Sequence, residues 1–484
     1  MRGRLGLFQP WRMNLRSLLA AALVPLVTLG CMATPAPAAP AVAAPCAPAP
    51  MGEPPPLKPT TAGTLAQAYH CIFAKYAGGP VLNHQVLLTA AFAGLTQELQ
   101  RRGRDRPDAM LPPLTGDRTA DWTAFGTVYQ RIADRLPSDP DLRQALAAAT
   151  MKAMVSALHD NHAAWVREEP GPPPVKEKVK PGRMIEFGTG IAGHSPAEDD
   201  PAGEPPLFIT MVRAGSPAAR LGVRPGDVIR TVNGTPALTD GILPRKTVNV
   251  LIGDPATKAP VRLTLHRPAT GRTWSVTIKP AAYEGSPLGF SKRLEGGVAY
   301  VKLAGFIPGG EKRVFEDIAR MRHEGPLRGV VLDLRGNGGG FPGTANKLVS
   351  AFAHGKTIGY LCDAKNTCQP KVTDDTVPLL NLPLVVLTDR GCASACDAFS
   401  AAVKDLGLGT LVGTRTAGLV SGPAGGFLLD DGSVLELPMQ YGLGPNKEII
   451  NTIGVPPDHH APLTAKDLSN GRDPGLAKAL GLLP

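Results

Sequence analysis

Ser394 stands in GCASACD, after an apolar run at 384–387 and before a small-residue segment whose Ala398, Phe399, Ala402 and Val403 share one helical face. Asp389, Arg390 and Gly391 mark a tight turn between the two. A serine placed there has the unpaired N–H groups and the positive end of a helix dipole beside it. Two roles suit that position: a helix cap, or a nucleophile whose oxyanion those N–H groups would stabilise. A second apolar run, VVLDLRGNGGG at 330–340, ends in three glycines that let backbone amides approach a ligand closely. His159 and His162, in ALHDNHAAWV, close a helical pattern, and by that pattern alone they are a solvated polar end.

These residues need a scaffold, and over 286–463 strand and helix patterns alternate. A strand over 298–303 precedes a helix over 312–323 that carries Val314, Phe315, Ile318 and Met321 on one face. The two runs above follow, then a short strand at 410–412 and a hairpin of 427–429 with 434–437 around Asp430, Asp431 and Gly432. The pattern predicts an α/β core with a mainly parallel sheet and both turns at one sheet edge. Upstream, helical patterns cover 65–76, 86–101 and 122–136, and another begins at Asp139 with Pro140 in its first turn. That last helix places Leu142, Leu146, Ala149, Ala153, Ala157 and Leu158 on one stripe, within an N-terminal helical domain at 62–170.

The combination resembles the S41 serine peptidases, the family of the C-terminal processing (tail-specific) proteases. Four motifs occur in the family's order: an LxDxH-like element ending at His162, a PDZ-like unit over 183–283, DLRGNGGG, and the serine turn. A GVxPD-like end follows at 454–458. The resemblance implies Ser394 as nucleophile, His162 as general base, and an oxyanion hole from the amides of Gly338 or Gly339 and Ala395. It implies a ClpP/crotonase-like core, with Asp333 and Arg335 structural. In the PDZ-like unit, SPAARLG followed by GDVI and VNG is specific, and the resemblance puts Gly190 and Ile191 on the loop that holds a peptide carboxylate. Leu419 stands where the C-terminal processing branch has its lysine base, and leucine cannot accept a proton. Asp405 matches an aspartate of that branch and is expected to be a solvated helix-end acid. The chain is therefore expected nearer the tricorn-like and nisin-resistance-like members. Glu448 is the candidate acid for orienting the base, since Asn161 precedes His162 and Asn451 replaces the usual glutamate before GVxPD.

The implied activity is that of an exported serine endopeptidase acting on protein or peptide substrates, with no cofactor and no metal. Two readings compete: a peptide-binding protein whose catalytic site has decayed, and an apolar-ligand-binding module of the same fold. The first thirty residues have the look of an export signal, with Arg2, Arg4, Arg12 and Arg16 ahead of an apolar stretch at 18–29. That stretch is shorter than the ~20 residues of a stable membrane span. Cys31 ends a degenerate lipobox and is a candidate lipid anchor, which would make the location the cell envelope; cleavage within 33–39 is the rival and would make it extracellular. A Pro/Ala-rich tether is expected over 31–61, a Pro/Lys-rich linker over 171–181 and a polar tail with one weak helix over 464–484.

The formal charge is +10, but without the four leader arginines 47 basic residues face 41 acidic ones, a net of +6. No basic cluster interleaves with aromatics, so nucleic acid is not an expected partner. Six cysteines remain beside Cys31, with no histidine spaced for a metal, so disulfides are favoured over free thiols. Cys362 and Cys368 are one expected pair. Cys392 and Cys396 are another, although helical spacing would hold their Cβ atoms about 5–6 Å apart and require a distorted first turn.

Overall fold

The computed structural model describes residues 46–50, 55–160, 162–167, 185–196, 207–238, 245–254, 257–284, 289–422 and 424–484. The expected export signal, Cys31, Asn161 and the linker at 171–181 lie outside them. Among the described residues no helix is long and apolar enough to cross a membrane.

The chain opens with β1 (Ala47–Pro48), followed by α1 (Ala62–Lys75), α2 (His84–Arg101), α3 (Arg118–Asp134), α4 (Pro140–Ser156) and β2 (Ala164–Val166). Thr61 caps α1 in a reciprocal box with Thr64, and Asp139 accepts from the N–H groups of Asp141 and Leu142 to start α4 where the sequence places it. The alanine stripe of α4 has a packing role. A side chain at Gly94 of α2 would meet Ala153 Cβ at 2.5 Å and the Ala149 carbonyl at 2.6 Å, so the two helices approach closely there.

The middle unit comprises β3 (Ile185–Gly188), β4 (Ile191–Pro196), β5 (Leu207–Val212), α5 (Pro217–Arg220), β6 (Val228–Val232), β7 (Thr235–Pro236), α6 (Arg245–Ile252), β8 (Val261–Arg267), β9 (Arg272–Ile278) and β10 (Ala281–Glu284). Its main sheet runs β4-β5-β6-β8-β9 with β4 at one edge, and β3 pairs with β10 where the chain enters and leaves. Ile191, Ile209, Leu263, Leu265 and Ile278 form its core.

The third unit contains β11 (Gly289–Leu294), β12 (Val298–Leu303), α7 (Gly310–His323), β13 (Gly329–Asp333), α8 (Pro342–Ser350), β14 (Thr357–Asp363), β15 (Cys368–Val372), β16 (Leu384–Thr388), α9 (Ala395–Asp405), β17 (Thr410–Gly413), β18 (Ala424–Leu428), β19 (Val434–Pro438), β20 (Gln440–Leu443), β21 (His459–His460), α10 (Ala465–Ser469) and α11 (Pro474–Leu482). Its six-stranded sheet runs β11-β12-β13-β16-β17-β21 and is parallel except for the β11–β12 pair. Over the whole chain the sheets are mixed. Side chains alternate along the central strands: Val330 and Leu332 face α7, α8 and α9, while Val331 faces the opposite side with Val385 and Val412.

Three expectations change. The hairpin β18–β19 does not join the core sheet. It forms a separate sheet in the order β1-β18-β19-β2, and its Phe427, Leu429, Leu435 and Leu437 complete the core of the helical domain. The described part of the expected tether is anchored: β1 extends that sheet, Cys46 is disulfide-bonded to Cys71 of α1, and the Thr60 hydroxyl donates to Asp431. Paired backbone and one covalent bond outweigh the poor packing of a Pro/Ala segment. The polar tail is also docked, because Ala479 and Leu483 cover the second face of the core sheet and Ala465 packs with Phe208 and Val228 of the middle unit.

Candidate active site

The turns after β13 and β16 leave the carboxyl ends of adjacent parallel strands, the usual ligand edge of such a sheet. Ser394 takes φ 58° and ψ −117° immediately before α9. A non-glycine residue in that region stores about 1–3 kcal/mol, which the surroundings must hold in place. Asp397 supplies one clamp, since its buried carboxylate accepts from Ser394 N–H at 2.9 Å, Gly418 N–H at 2.8 Å and Leu419 N–H at 3.0 Å. Burial raises the Asp397 pKa, and these bonds oppose the rise. The disulfide between Cys392 and Cys396 is the second clamp, with Cα atoms 5.2 Å apart. Helical spacing does not apply to it, because Cys392 precedes the helix and sits in the turn. Cys362 and Cys368 are bonded across β14 and β15, where they are directly paired.

The glycine turn is fastened to the serine turn. Asp389 Oδ1 accepts from Gly336 N–H at 2.7 Å and Gly391 N–H at 2.9 Å, and the Asn337 carbonyl accepts from Ala393 N–H at 3.0 Å. Burial pushes the Asp389 carboxyl up, while the Gly336 bond and the nearby Lys302 and Arg335 charges pull it down. Gly339 has φ 97°, and a side chain there would meet the Ala393 carbonyl at 2.5 Å and Ser394 Cβ at 2.7 Å, so only glycine fits. Its own N–H donates to Asn337 Oδ1 at 2.9 Å. Of the expected oxyanion donors, Gly339 is therefore engaged, whereas the N–H groups of Gly338 and Ala395 have no partner among the described residues.

His162 comes from the other side, between α4 and β2. Its Nδ1 lies 2.7 Å from Ser421 Oγ, which donates at 2.8 Å to Asp160 Oδ1; Asp160 Oδ2 also accepts from the Tyr76 hydroxyl at 3.2 Å. Burial alone would raise the Asp160 pKa, but the bonds from His162, Ser421 and Tyr76 hold it below the usual carboxylate range. An ionised carboxylate only accepts, so the Ser421 hydroxyl gives its proton to Asp160 and receives one from His162 Nδ1–H. That relay leaves Nε2 as the acceptor nitrogen. Among the described residues no hydrogen bond joins Ser394 Oγ to His162, and the 418–421 loop connects them by bonding Asp397 at Leu419 and His162 at Ser421. Asn451 steadies this loop by accepting from Val420 N–H at 2.9 Å.

Glu448 is not the orienting acid. It faces the Asp405 carboxyl at the far end of α9, about 16 Å of helix from Ser394, and Asp405 is pushed up to about 7 by burial and by Glu448. The expectation of a solvated Asp405 gives way for the same reason. Asp160 and Ser421 were the residues missed. Asp160 was visible in the LxDxH element, whereas Ser421 lies 259 residues from His162 and carries no local signal.

In the middle unit Gly190 takes φ 84°, and a side chain would meet Ser216 Cβ at 2.0 Å. Ile191 N–H is engaged by Thr189 Oγ1 at 3.2 Å, while Gly190 N–H has no partner among the described residues. Among the described residues β4 is an edge strand, and it lies beside α6, as strand addition of a peptide requires.

Residues 297–461 match the family model for peptidase family S41, and residues 208–261 match a PDZ domain. The chain is 27% identical over 316 residues to a "Probable CtpA-like serine protease" of Staphylococcus aureus (strain N315), an alignment covering 65% of this chain and 59% of that protein. It is 27% identical over 318 residues to the "Carboxyl-terminal-processing peptidase 2, chloroplastic" of Arabidopsis thaliana, covering 64% and 60%. The chain thus spans about three fifths of the length of these relatives. Among solved structures, the photosystem II D1 C-terminal processing protease superposes with a TM-score of 0.51 at 22% identity, over 84% of this chain and 94% of that one. The chain thus carries a region similar to peptidase family S41 at 297–461 and one similar to a PDZ domain at 208–261.

Proposed function

We propose that this protein is a serine peptidase that hydrolyses peptide bonds near the carboxyl termini of protein substrates, using Ser394 as nucleophile and His162 as base. The observation that carries the reading is the pair of unpartnered N–H groups, Gly338 and Ala395, on the two turns that Asp389 and Asn337 fasten together beside Ser394. Ser394 Oγ attacks the scissile carbonyl as His162 Nε2 takes its proton, and the two amides bind the oxyanion. The imidazolium then protonates the leaving amine, and water repeats the sequence on the acyl-enzyme. The Ser421–Asp160 relay supports His162 by holding its ring in one orientation and tautomer.

The PDZ domain presents substrate by adding its strand to β4, with the Gly190 amide toward the terminal carboxylate. Export to an oxidising compartment, with Cys31 as a lipid anchor, is supported by the arginine-headed apolar leader and three disulfides. The parallel β12-β13-β16-β17 ladder is compatible with a ClpP/crotonase-like core. Leu419 favours one second reading, a peptide-binding protein without turnover. Incubating the full chain with a fluorogenic peptide library and with β-casein separates them: the proposal expects cleavage that Ser394→Ala abolishes, and intact substrate retained by the wild-type protein supports the binder.

A further inference from the structure

Arg335 is the first residue of the glycine turn, and its guanidinium is held on two edges. Nε and Nη2 donate to Asp333 at 3.0 and 2.6 Å, and Nη1 and Nη2 donate to Asp473 at 2.9 and 2.7 Å. The Arg335 side chain is only 10% exposed. Asp333 belongs to β13 and is fixed by the sheet ladder, by the Tyr300 hydroxyl at 2.7 Å and by Lys302 Nζ at 3.0 Å; Lys302 also donates to the Arg335 carbonyl. Burial would raise the Asp333 pKa, yet the Arg335 and Lys302 charges keep it well below the usual carboxylate range. Two carboxylates thus balance two cations at the root of the turn.

Asp473 comes from the C-terminal segment, more than a hundred residues away in sequence. It also caps α11, accepting from Leu476 N–H at 2.9 Å, so one carboxylate ties the docked tail to the turn. Without it Asp333 alone would grip the guanidinium, and the other edge would be a desolvated charge with no acceptor. The path from Arg335 to the oxyanion site is short: Gly336 N–H is bonded to Asp389, Asn337 holds Ala393 and Gly339, and Gly338 N–H stands between them.

We propose that Asp473 is a positioning residue for the peptidase reaction: through its bidentate pair with Arg335 it holds the 336–340 turn so that Gly338 N–H converges with Ala395 N–H beside Ser394. This rests on the reading of Ser394 as nucleophile. Asp473 touches no reacting atom and acts by fixing where the oxyanion donor lies. A donor misplaced by about 1 Å loses much of its effect, so the expected loss is in turnover rather than in substrate affinity.

The test uses the full chain with Asp473→Asn, which keeps an acceptor for α11 but removes the charge, and Asp473→Glu, which restores it. The proposal expects Asp473→Asn to lower kcat roughly 10- to 100-fold, with KM within about twofold, and to slow fluorophosphonate labelling in parallel. Amide hydrogen exchange should rise at 336–340 and stay unchanged in β13, at an unfolding midpoint close to wild type. Asp473→Glu should recover most of the kcat. The proposal is overturned if Asp473→Asn keeps wild-type kcat and labelling while Ser394→Ala is inactive, a result that leaves the nucleophile reading standing. It is equally overturned if kcat falls only in proportion to folded protein, with exchange rising throughout the sheet and no rescue by glutamate. Undiminished hydrolysis by Ser394→Ala would remove the nucleophile reading itself, and the proposal with it.

Discussion

The two halves of the candidate site are built by different means. The Ser394 and glycine turns grow from neighbouring strands of one sheet and are fastened by backbone bonds, the carboxylates of Asp389 and Asp397 and a disulfide. His162 is carried by the helical domain, 27% exposed, and depends on a chain of side chains through Ser421 to Asp160 and Tyr76. Preorganised backbone costs nothing to reorient at the moment of reaction, whereas a side-chain relay can be tuned or cut one residue at a time. The nucleophile half should respond to substitution as a unit, and the base half in graded steps.

The largest expected effect is at the ends of that comparison. Ser394→Ala and His162→Ala should each remove about 3–6 orders of magnitude of turnover, and the double variant should be no worse, because the two groups act as one unit. Steady-state peptide cleavage measures this, and near-normal hydrolysis by His162→Ala would move the base elsewhere. Next come the relay residues. Ser421→Ala and Asp160→Asn should each lower kcat roughly 10- to 1000-fold with little change in KM, through loss of the ring's orientation and tautomer. Equal activity in both variants would show that the ring needs no orienting partner.

A third prediction separates function from stability at the far end of α9. Asp405 has a folded pKa of about 7, raised above the ordinary carboxylate value by burial and by Glu448, with Lys404 lowering it and Asp458 raising it. The folded state therefore prefers the protonated form. The stability this contributes is complete below pH ~4 and is lost as pH rises through about 7. Asp405→Asn should raise the unfolding midpoint at pH 8 by roughly 2–4 °C, flatten its decline between pH 5 and 8, and leave kcat unchanged. A midpoint with the same pH dependence as wild type would contradict the assignment. The smallest effect is at Leu419, whose contribution is its backbone N–H to Asp397. Leu419→Ala should keep kcat within about threefold, since it leaves that N–H in place.

The same contrast explains what the sequence could tell. Ser394 and Gly338 were legible because strand, turn and helix are adjacent in the chain, and Cys392 and Cys396 flank the serine directly. The parallel order of the core followed from local periodicity and turn residues, and the PDZ-like unit from the resemblance of SPAARLG, GDVI and VNG to that domain. The partners of His162 were not legible: Ser421 lies 259 residues away, on a loop whose local pattern names only Leu419 as unusual. The β18–β19 hairpin was found as a hairpin, but nothing in its alternation says that Phe427 and Leu435 pack on helices more than 250 residues upstream. Nothing local in the Pro/Ala stretch around Cys46 names its partner, Cys71 of α1. Asp473 stood in a polar tail, and only the docking of α11 makes it a neighbour of Arg335.

The central claim, that Ser394 is an activated nucleophile beside an oxyanion site, is tested most directly by fluorophosphonate modification of the folded chain followed by peptide mapping. The account predicts one stoichiometric adduct, on Ser394, with labelling slowed by at least about 100-fold in His162→Ala and absent in Ser394→Ala. An unmodified Ser394 in protein that cleaves peptides, or an adduct on another serine that carries the activity, would contradict it.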